Sequence, residues 1–358
     1  MKSCGSSPPD ICCAMTDLII RKAGRAGQIT LNRPQALNAL TYEMCLTLEA
    51  TLDAWRDDPD VQLILIDGAG ERAFCSGGDI ADMYKSGQTG DLSYGRNFWR
   101  DEYRLNAKIA RYPKPIVTFL HGFTMGGGVG VGCHASHRIV CETSQIAMPE
   151  VTIGLIPDVG GSLLLANAPG FTGTYLGLTG ERMDAGDAIY AGFADHFIPQ
   201  SQWDDLKSAL IETGRTNLIK PQIAPDARLK SWQADLYAAF AGDTLASVYA
   251  SLGTRPKLAH AQKLMDRNSP LAMAAAIPII NAARSAKTIE AALEMEYRFT
   301  YRAVADSDFI EGIRAAIIDR DRAPKWRHAS WADVTADEIA KMTAPLGAEA
   351  LDLSGGKS

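Results

Sequence analysis

The chain has 358 residues, of which 46% are hydrophobic and 22% are charged, as is typical of a soluble globular protein longer than one average domain. Its formal net charge of −6 gives no general attraction for nucleic acid or for an anionic membrane surface, so neither is expected as a partner. No apolar run approaches the roughly 20 residues of a transmembrane helix.

The N-terminal residues carry no recognisable targeting segment. Residues 1–14 have neither the apolar core of a secretion signal nor an Arg-rich amphipathic pattern, so we expect a disordered tail, with Met15 as a candidate start. A cytoplasmic location is the default expectation, or the mitochondrial matrix in a eukaryote. The seven cysteines form no zinc-type pair and suggest no disulfide framework, which favours free thiols in a reducing compartment.

Short strands and helices alternate over the first 200 residues, a pattern typical of an α/β fold. Apolar and β-branched runs predict strands at 17–23, 28–31, 61–67, 116–120, 138–141, 145–148 and 194–198. Helices are predicted from a cap at Thr41 to about residue 56, and at 98–111, 160–166, 173–179 and 185–191. Beyond residue 200 the pattern is helical, at 204–213, 230–241, 244–252, 257–266, 270–285 and 288–305, with a polar connector at 217–229.

A glycine-rich stretch after the strand at 116–120 is the first candidate site. Gly126, Gly127 and Gly128 allow the backbone to approach a ligand closely, and free N–H groups at a helix start attract negative charge. A second Gly-Gly pair, ending in Gly78, follows the strand at 61–67. Two such N–H donors, from Gly78 and Gly127, are what the oxyanion of an acyl transfer requires, and losing one typically costs about 2.7–4 kcal/mol of barrier.

Three carboxylates are candidates to work with these donors. Glu150 follows a Met-Pro pair and Asp158 follows an Ile-Pro pair. Taken alone, Glu150 would be a surface carboxylate and Asp158 a turn residue or helix cap, but their position downstream of two glycine loops favours a site. Glu102 lies in the charged run Arg100–Arg104, where such residues usually form a solvated, self-paired helix face.

Four segments, in this order, resemble the crotonase (enoyl-CoA hydratase/isomerase) superfamily: LNRPQALNAL, AFCSGGDI, PKPIVTFLHGFTMGGGVG and MPEVTIGLIPDVGG. The resemblance extends from Met15 to about Thr343. FWRDEYRLN and DFIEGIRAAIIDRDRAPKW further resemble the branch that hydrolyses 3-hydroxyisobutyryl-CoA. The resemblance implies a ββα spiral core with the active site over residues 15–200, a helical C-terminal region over 201–345 and a flexible tail over 346–358.

The resemblance also implies roles for individual residues. Gly78 and Gly127 would donate the oxyanion-hole N–H groups to a CoA thioester carbonyl. Glu150 occupies the position of the catalytic glutamate, Asp158 that of an aspartate added in the hydrolase branch, and Glu102 that of a residue near the substrate. Hydratases place a second catalytic glutamate two positions after the glycine triplet, where this chain has Gly130, so addition of water to a double bond is disfavoured.

These observations predict hydrolysis of a short β-hydroxyacyl-CoA thioester, with 3-hydroxyisobutyryl-CoA of valine breakdown as the expected substrate. No metal or redox cofactor is implied, since CoA enters as part of the substrate, and a homo-oligomer is plausible. An enoyl-CoA hydratase or isomerase is the alternative within enzymes. A catalytically silent CoA-binding protein is the alternative outside them.

Three other patterns in the glycine stretch are interpreted as structural and not as functional sites. His134 and His137 have a spacing that metal ligands can show, but no third ligand is evident and core or helix-face histidines are favoured. Cys133 lacks an activating partner. The GxGxxA pattern at 130–135 lies too far from the preceding strand to be a dinucleotide-binding turn, so its glycines are expected to serve close packing.

Overall fold

The computed structural model describes residues 16–353, so the predicted tail at 1–14 and the last residues of the predicted tail at 346–358 lie outside the described residues. Within this range the strands, β1 to β9, are Leu18–Ala23, Ala26–Leu31, Leu63–Gly68, Ala73–Cys75, Ile116–Leu120, Phe123–Met125, His137–Val140, Gln145–Ala147 and His196–Phe197. The α-helices, α1 to α16, are Tyr42–Arg56, Ala81–Gln88, Ser93–Ala110, Gly127–Gly132, Gly161–Asn167, Thr172–Thr179, Ala185–Tyr190, Trp203–Thr213, Arg228–Ser231, Gln233–Phe240, Leu245–Leu252, Ala259–Met265, Pro270–Ala286, Ile289–Asp306, Phe309–Ile313 and Ala336–Thr343.

The larger sheet confirms the predicted α/β fold. It has the order β1-β2-β3-β5-β7-β9, with β1 and β2 antiparallel and every other neighbouring pair parallel. Strand β5, which has the predicted bounds, is buried throughout and aligns with β3 and β7. Such continuous apolar strands are typical of parallel sheets covered on both faces.

A second sheet contains the short strands β4, β6 and β8, all parallel. Only β8 falls where the sequence predicts a strand. Strands β4 and β6 have three residues each, too few to give a period in the sequence. This sheet matters for function because the carboxyl ends of parallel strands meet at one edge, where ligands of α/β proteins bind.

Most of the helices agree with the prediction in position but differ at their ends. Helix α1 begins after Thr41, whose side chain accepts a hydrogen bond from the Met44 N–H, as predicted. Helix α3 begins at Ser93, before the predicted start at residue 98. The single helix predicted at 230–241 is instead two helices that meet at Trp232, and α16 was not predicted.

The C-terminal helices pack against the core on two sides. Trp203 and Leu210 of α8 pack against the larger sheet, in a cluster with Phe119. Helices α13 and α14 pack on α5 and α3 respectively, next to the glycine stretch. In the segment 346–353, predicted as flexible, a short 3-10 helix forms and Leu351 packs against the main core. Among residues 16–353, none of the helices combines the length and apolar character of a membrane span.

The loop between Glu150 and Asp158 is in close contact with the C-terminal region. Gly154 has φ +77, and a Cβ there would lie 2.4 Å from the backbone carbon of Asp308. The Ser307 hydroxyl donates to the Gly154 carbonyl at 3.2 Å. Glycine is therefore required at this position by both the backbone angle and the lack of space.

The effect of the backbone angle can be distinguished from the effect of close packing by comparing Gly154 with Gly90, which has the same φ. Gly154→Ala and Gly90→Ala both place alanine at φ +77, but a Cβ at Gly90 meets nothing within 4 Å. We expect Gly90→Ala to lower the free energy of unfolding by about 1–2 kcal/mol, the cost of a left-handed residue. Gly154→Ala should lower it by about 1–3 kcal/mol more, because of overpacking. Urea unfolding measures both; equal losses would contradict the proposed close contact.

Candidate active site

The second sheet brings the predicted site residues together. Strand β4 leads into Gly78, β6 into Gly127 and β8 into Glu150, each within a few residues of the strand's end. Because β6 lies between β4 and β8, the three loops are neighbours at the carboxyl edge. The second sheet, of which only β8 was predicted from the sequence, is therefore the reason that glycines and a glutamate distant in the sequence lie close together.

These residues line one cavity of about 600 Å³. Gly78, Glu102, Gly127, Glu150 and Asp158, the residues predicted from the sequence, all contribute to its wall. The apolar part of the wall includes Phe98, Trp99, Leu155 and Phe309, and the charged part includes Arg72, Asp79 and Arg320. A cavity of this size, mostly apolar with a few converging polar groups, has the character of a small-molecule site.

The two predicted N–H donors are unpaired and close to each other. Within residues 16–353, neither the Gly78 N–H nor the Gly127 N–H has a hydrogen-bond acceptor. A Cβ built on Gly127 would lie 3.1 Å from the Gly78 nitrogen and 2.7 Å from the Glu102 Oε1. Glycine at 127 therefore leaves open the space that both N–H groups border, and an oxygen atom bound there can accept from both.

Glu150 begins a 3-10 turn that ends at Ile153, and its side chain is buried. Its Oε2 atom has no hydrogen-bond partner in the described chain, and its Oε1 lies 2.8 Å from the point that a Cβ on Gly126 would occupy. Burial raises the pKa of Glu150 well above its ordinary value, and the nearby charge of Asp158 raises it further. The carboxyl thus lies beside the glycine loop with its Oε2 atom unpaired in the described chain.

Asp158 has a specific partner that the sequence did not indicate. The Tyr103 hydroxyl donates to the Asp158 Oδ2 at 2.7 Å. Burial raises the pKa of Asp158 to about 7, even though the Tyr103 hydrogen bond acts to lower it. Because the charge of Asp158 raises the pKa of Glu150, the protonation of Glu150 depends on the protonation of Asp158.

The backbone after Asp158 is held by residues distant in the sequence. Glu296, on α14, accepts hydrogen bonds from the Gly160 N–H at 2.8 Å and the Ser162 N–H at 3.0 Å. The His134 Nε2 bonds the Val159 carbonyl at 2.8 Å, which requires the ring nitrogen to be the donor. Val159 has φ +53, an uncommon angle for a β-branched residue, which these contacts help to maintain.

Neither Tyr103 nor Glu296 was predicted as a site residue. Glu296 is fully buried, and burial raises its pKa to about 8. It lies in a helix whose sequence has an ordinary amphipathic pattern, so no local signal marks it. Tyr103 follows directly after Glu102 in the FWRDEYRLN segment, and this adjacency was the only available indication.

The prediction of a solvated face for Arg100–Arg104 is wrong for its two acids. Asp101 and Glu102 are both buried. Asp101 pairs with Arg100 and Arg104, each at 2.9 Å, but Glu102 has no ion pair in the described range and faces the cavity. Burial, followed by the charge of Asp158, raises the pKa of Glu102 well above its ordinary value.

Position 130, where hydratases carry a second glutamate, is closed to a side chain. A Cβ on Gly130 would lie 2.7 Å from the Asn106 Nδ2 and 2.9 Å from the Val159 Cβ. Neither polar atom of the Asn106 side chain has a protein partner among the described residues. A fully buried amide in this state is typical of a site that holds an ordered water.

The remaining sequence candidates are outside the cavity wall. His134 and Cys133, both in the glycine stretch, do not line the cavity. Burial raises the pKa of Cys133 to about 12, so its thiol is not activated. In the part of the chain that the structure describes, no group of three or more His, Cys, Asp or Glu side chains is arranged to hold a metal ion.

Removing the Tyr103 hydroxyl should change the titration of Asp158. A hydrogen bond to the ionised carboxylate lowers its pKa, so Tyr103→Phe should raise the pKa of Asp158 above about 7. Infrared difference titration of the protonated carboxyl band measures this shift. Tyr237→Phe, at a tyrosine that is 59% exposed, is the control and should leave the band unchanged. An unchanged or lowered value in Tyr103→Phe would contradict the assigned hydrogen bond.

Comparison with known proteins gives a consistent family assignment. Residues 26–343 match the model of a family described as enoyl-CoA hydratase/isomerase. The mitochondrial 3-hydroxyisobutyryl-CoA hydrolase of Xenopus laevis is 36% identical, over 94% of this chain and 90% of that protein. The human mitochondrial 3-hydroxyisobutyryl-CoA hydrolase is 34% identical, over 94% of this chain and 91% of that protein.

Two solved structures resemble the chain over almost their whole length. The structure described as an enoyl-CoA hydratase from Rhodobacter sphaeroides 2.4.1 has a TM-score of 0.90 and 54% identity, and covers 94% of this chain and 100% of its own. The structure described as a carnitinyl-CoA dehydratase from Mycobacterium thermoresistibile has a TM-score of 0.90 and 40% identity, and covers 95% and 99%. On the family match and these relatives, the chain belongs to the enoyl-CoA hydratase/isomerase family.

Proposed function

We propose that this protein hydrolyses the thioester of a short β-hydroxyacyl-CoA, converting 3-hydroxyisobutyryl-CoA and water into 3-hydroxyisobutyrate and CoA, the reaction of valine breakdown. The curated relatives described above are hydrolases of that substrate. The observation that carries the proposal is the pairing of two free N–H donors, at Gly78 and Gly127, with a buried Glu150 in the same cavity. CoA enters as part of the substrate, and the reaction needs no metal or redox cofactor.

The oxyanion hole is the first part of the proposed mechanism. The thioester carbonyl oxygen accepts hydrogen bonds from the Gly78 and Gly127 N–H groups, whose closeness in the cavity supports this assignment. These donors gain strength as negative charge develops on that oxygen. They also have no competing protein acceptor in the described range, so they need no reorganisation before the reaction.

Glu150 and Asp158 divide the remaining chemistry. Ionised Glu150 attacks the carbonyl carbon, the C–S bond breaks, and the proton of Asp158 passes to the departing thiolate. Water then cleaves the resulting anhydride, which releases the acid and restores Glu150. In the alternative route, Glu150 removes a proton from water, and that water attacks the carbonyl directly. Burial raises the pKa of Asp158 to about 7, so this carboxyl can hold a proton to donate near neutral pH. Burial also raises the pKa of Glu150, so in either route Glu150 must first give up its own proton.

The hydratase alternative is supported by two solved neighbours, which are described as an enoyl-CoA hydratase and a carnitinyl-CoA dehydratase. Addition of water across a double bond in hydratases uses a pair of glutamates, and in this chain Gly130 occupies the position of the second. Glu102 is a further acid in the same cavity, but it lies on α3 and not at position 130, where hydratases carry their second glutamate. The hydrolase therefore accounts for the site with fewer missing groups. If the protein only bound CoA without catalysis, the burial of three acids in the cavity, Glu102, Glu150 and Asp158, would have no explanation.

Assembly and location remain predictions. We propose a homo-oligomer, which the resemblance to the crotonase superfamily implies. We also propose a cytoplasmic location, or the mitochondrial matrix in a eukaryote; the curated relatives named above are mitochondrial.

Thiol release from 3-hydroxyisobutyryl-CoA tests the proposed activity directly. Wild type should release CoA rapidly, and Glu150→Gln should reduce kcat by at least about 10³-fold, because the amide can neither attack nor accept a proton. Glu212→Gln, at an exposed glutamate, is the matched control and should retain full activity. Absence of thiol release by wild type, together with hydration of crotonyl-CoA, would establish the hydratase instead. Binding without either reaction would establish the silent protein.

Heavy-oxygen water separates the two routes of Glu150. We expect a single turnover in H₂¹⁸O to place label in the Glu150 carboxyl, because water that cleaves the anhydride at the Glu150 carbonyl leaves its oxygen there. Mass spectrometry of the peptide containing Glu150 measures the label, and the same peptide from enzyme incubated without substrate is the control. Label found only in the product acid after repeated single turnovers would rule out cleavage of an anhydride at the Glu150 carbonyl, and it is the result that the general-base route predicts.

A further inference from the structure

Glu102 has an unexplained position beside the two N–H donors. Its Oε1 lies 2.7 Å from the point that a Cβ on Gly127 would occupy, and the Gly78 nitrogen lies 3.1 Å from the same point. Three polar groups, from α3 and the two glycine loops, thus surround one small space at the cavity wall. The family resemblance places Glu102 near the substrate but gives it no chemical task.

Glu102 also lacks the partners that its neighbours on α3 have. Asp101 binds Arg100, Arg104 and the Tyr42 hydroxyl. The Oε1 atom of Glu102 is buried and has no hydrogen-bond partner within residues 16–353, and only 3% of the residue is exposed. A buried carboxyl without partners is costly, and its persistence indicates that a bound molecule satisfies it.

The charged and titratable groups around Glu102 favour its neutral form. Asp158 is the nearest influential charge, Glu150 is a third acid of the same cavity, and the buried thiols of Cys45 and Cys75 lie close enough to be affected by it. No cation forms an ion pair with Glu102 in the described range. Burial, followed by the charge of Asp158, raises the pKa of Glu102 well above its ordinary value, which favours the protonated carboxyl.

We propose that Glu102 acts as a neutral carboxylic acid whose O–H donates a third hydrogen bond to the thioester carbonyl oxygen, beside the N–H groups of Gly78 and Gly127. A protonated carboxyl has one donor, whereas the carboxylate has none and would repel the developing oxyanion. The terminal torsion of a glutamate turns readily, so either oxygen can present the proton. This assignment rests on the proposed thioester hydrolysis and adds a catalytic residue to it.

Two variants of nearly equal size separate donation from other roles. Glu102→Gln keeps an N–H donor at the same length, and Glu102→Met keeps the length but has no donor. We expect Glu102→Gln to retain at least about a tenth of kcat, and Glu102→Met to lose about 10²–10³-fold, as on removal of an oxyanion-hole donor. If Glu102→Gln is as impaired as Glu102→Met, or if Glu102→Met is fully active, the proposal is overturned.

Infrared spectroscopy of a bound thioester reports the hydrogen bond without turnover. In the Glu150→Gln background, isobutyryl-CoA labelled with ¹³C at its carbonyl should show a C=O band at lower frequency than in solution. Adding Glu102→Met should return part of that shift, whereas adding Glu102→Gln should preserve most of it. This ligand has no hydroxyl, so a donor that served only the β-hydroxyl would leave the band unchanged and overturn the proposal.

The two measurements also distinguish the inference from the function on which it rests. Wild type that releases no thiol refutes the hydrolase whatever the variants do. Wild type that releases thiol, with a C=O band unaffected by Glu102→Met, refutes the third donor alone. Thermal unfolding of each variant confirms that the fold is intact before either result is interpreted.

Discussion

The burial of three acids in one cavity is the constraint on which the rest of the site depends. Glu102, Glu150 and Asp158 are each at most 5% exposed, and in the described part of the chain none forms an ion pair. Glu49 is the useful contrast: it too is buried, but Arg104 and Lys108 bind it, and its pKa is lowered despite the opposing effect of burial. Without such cations, burial raises the pKa of all three acids, which favours their protonated forms, and thioester cleavage requires proton transfer.

Three buried acids in one cavity destabilise the loop that carries Glu150 and Asp158, and contacts with the C-terminal region stabilise this loop. The Ser269 N–H donates to the Val151 carbonyl at 2.9 Å, the Ser307 hydroxyl donates to the Gly154 carbonyl, and Glu296 accepts from the loop after Asp158. The loop that carries both Glu150 and Asp158 therefore satisfies much of its backbone through residues more than a hundred positions away. The C-terminal region, which the sequence suggests is an appended unit, is part of the active-site scaffold.

Elements that depend on a local sequence pattern could be predicted from the sequence. The strand Ile116–Leu120 is a short apolar run bounded by prolines and a glycine, and the Thr41 cap precedes an amphipathic run, so both were predicted correctly. The glycine loops and Glu150 could be found because they lie in segments that resemble the crotonase superfamily in the same order. Their convergence could not be derived, since it depends on β4 and β6, which have only three residues each.

The environment of a side chain could not be predicted where it depends on tertiary contacts. Asp101 and Glu102 look alike in a charged run, but one turns to the arginines and the other to the cavity. Periodicity does not separate adjacent residues on a helix that is covered on both sides. Glu296 is harder still, because its importance lies in two backbone N–H groups at Gly160 and Ser162. Nothing in the sequence around Glu296 indicates that contact.

Position 130 connects the local packing with the choice of reaction. The helix that starts at Gly127 is made of small residues, and at Gly130 the Asn106 amide and Val159 fill the space that a Cβ would need. A glutamate introduced at 130 would have to displace a fully buried asparagine from α3 and also Val159, the neighbour of Asp158. Overpacking of this kind costs about 1–3 kcal/mol before any chemistry is gained. The hydratase arrangement is therefore separated from this one by several coordinated changes in α3 and the Asp158 loop. For this reason, a shared fold with proteins described as hydratases is weaker guidance to the reaction than the residues that surround Gly130.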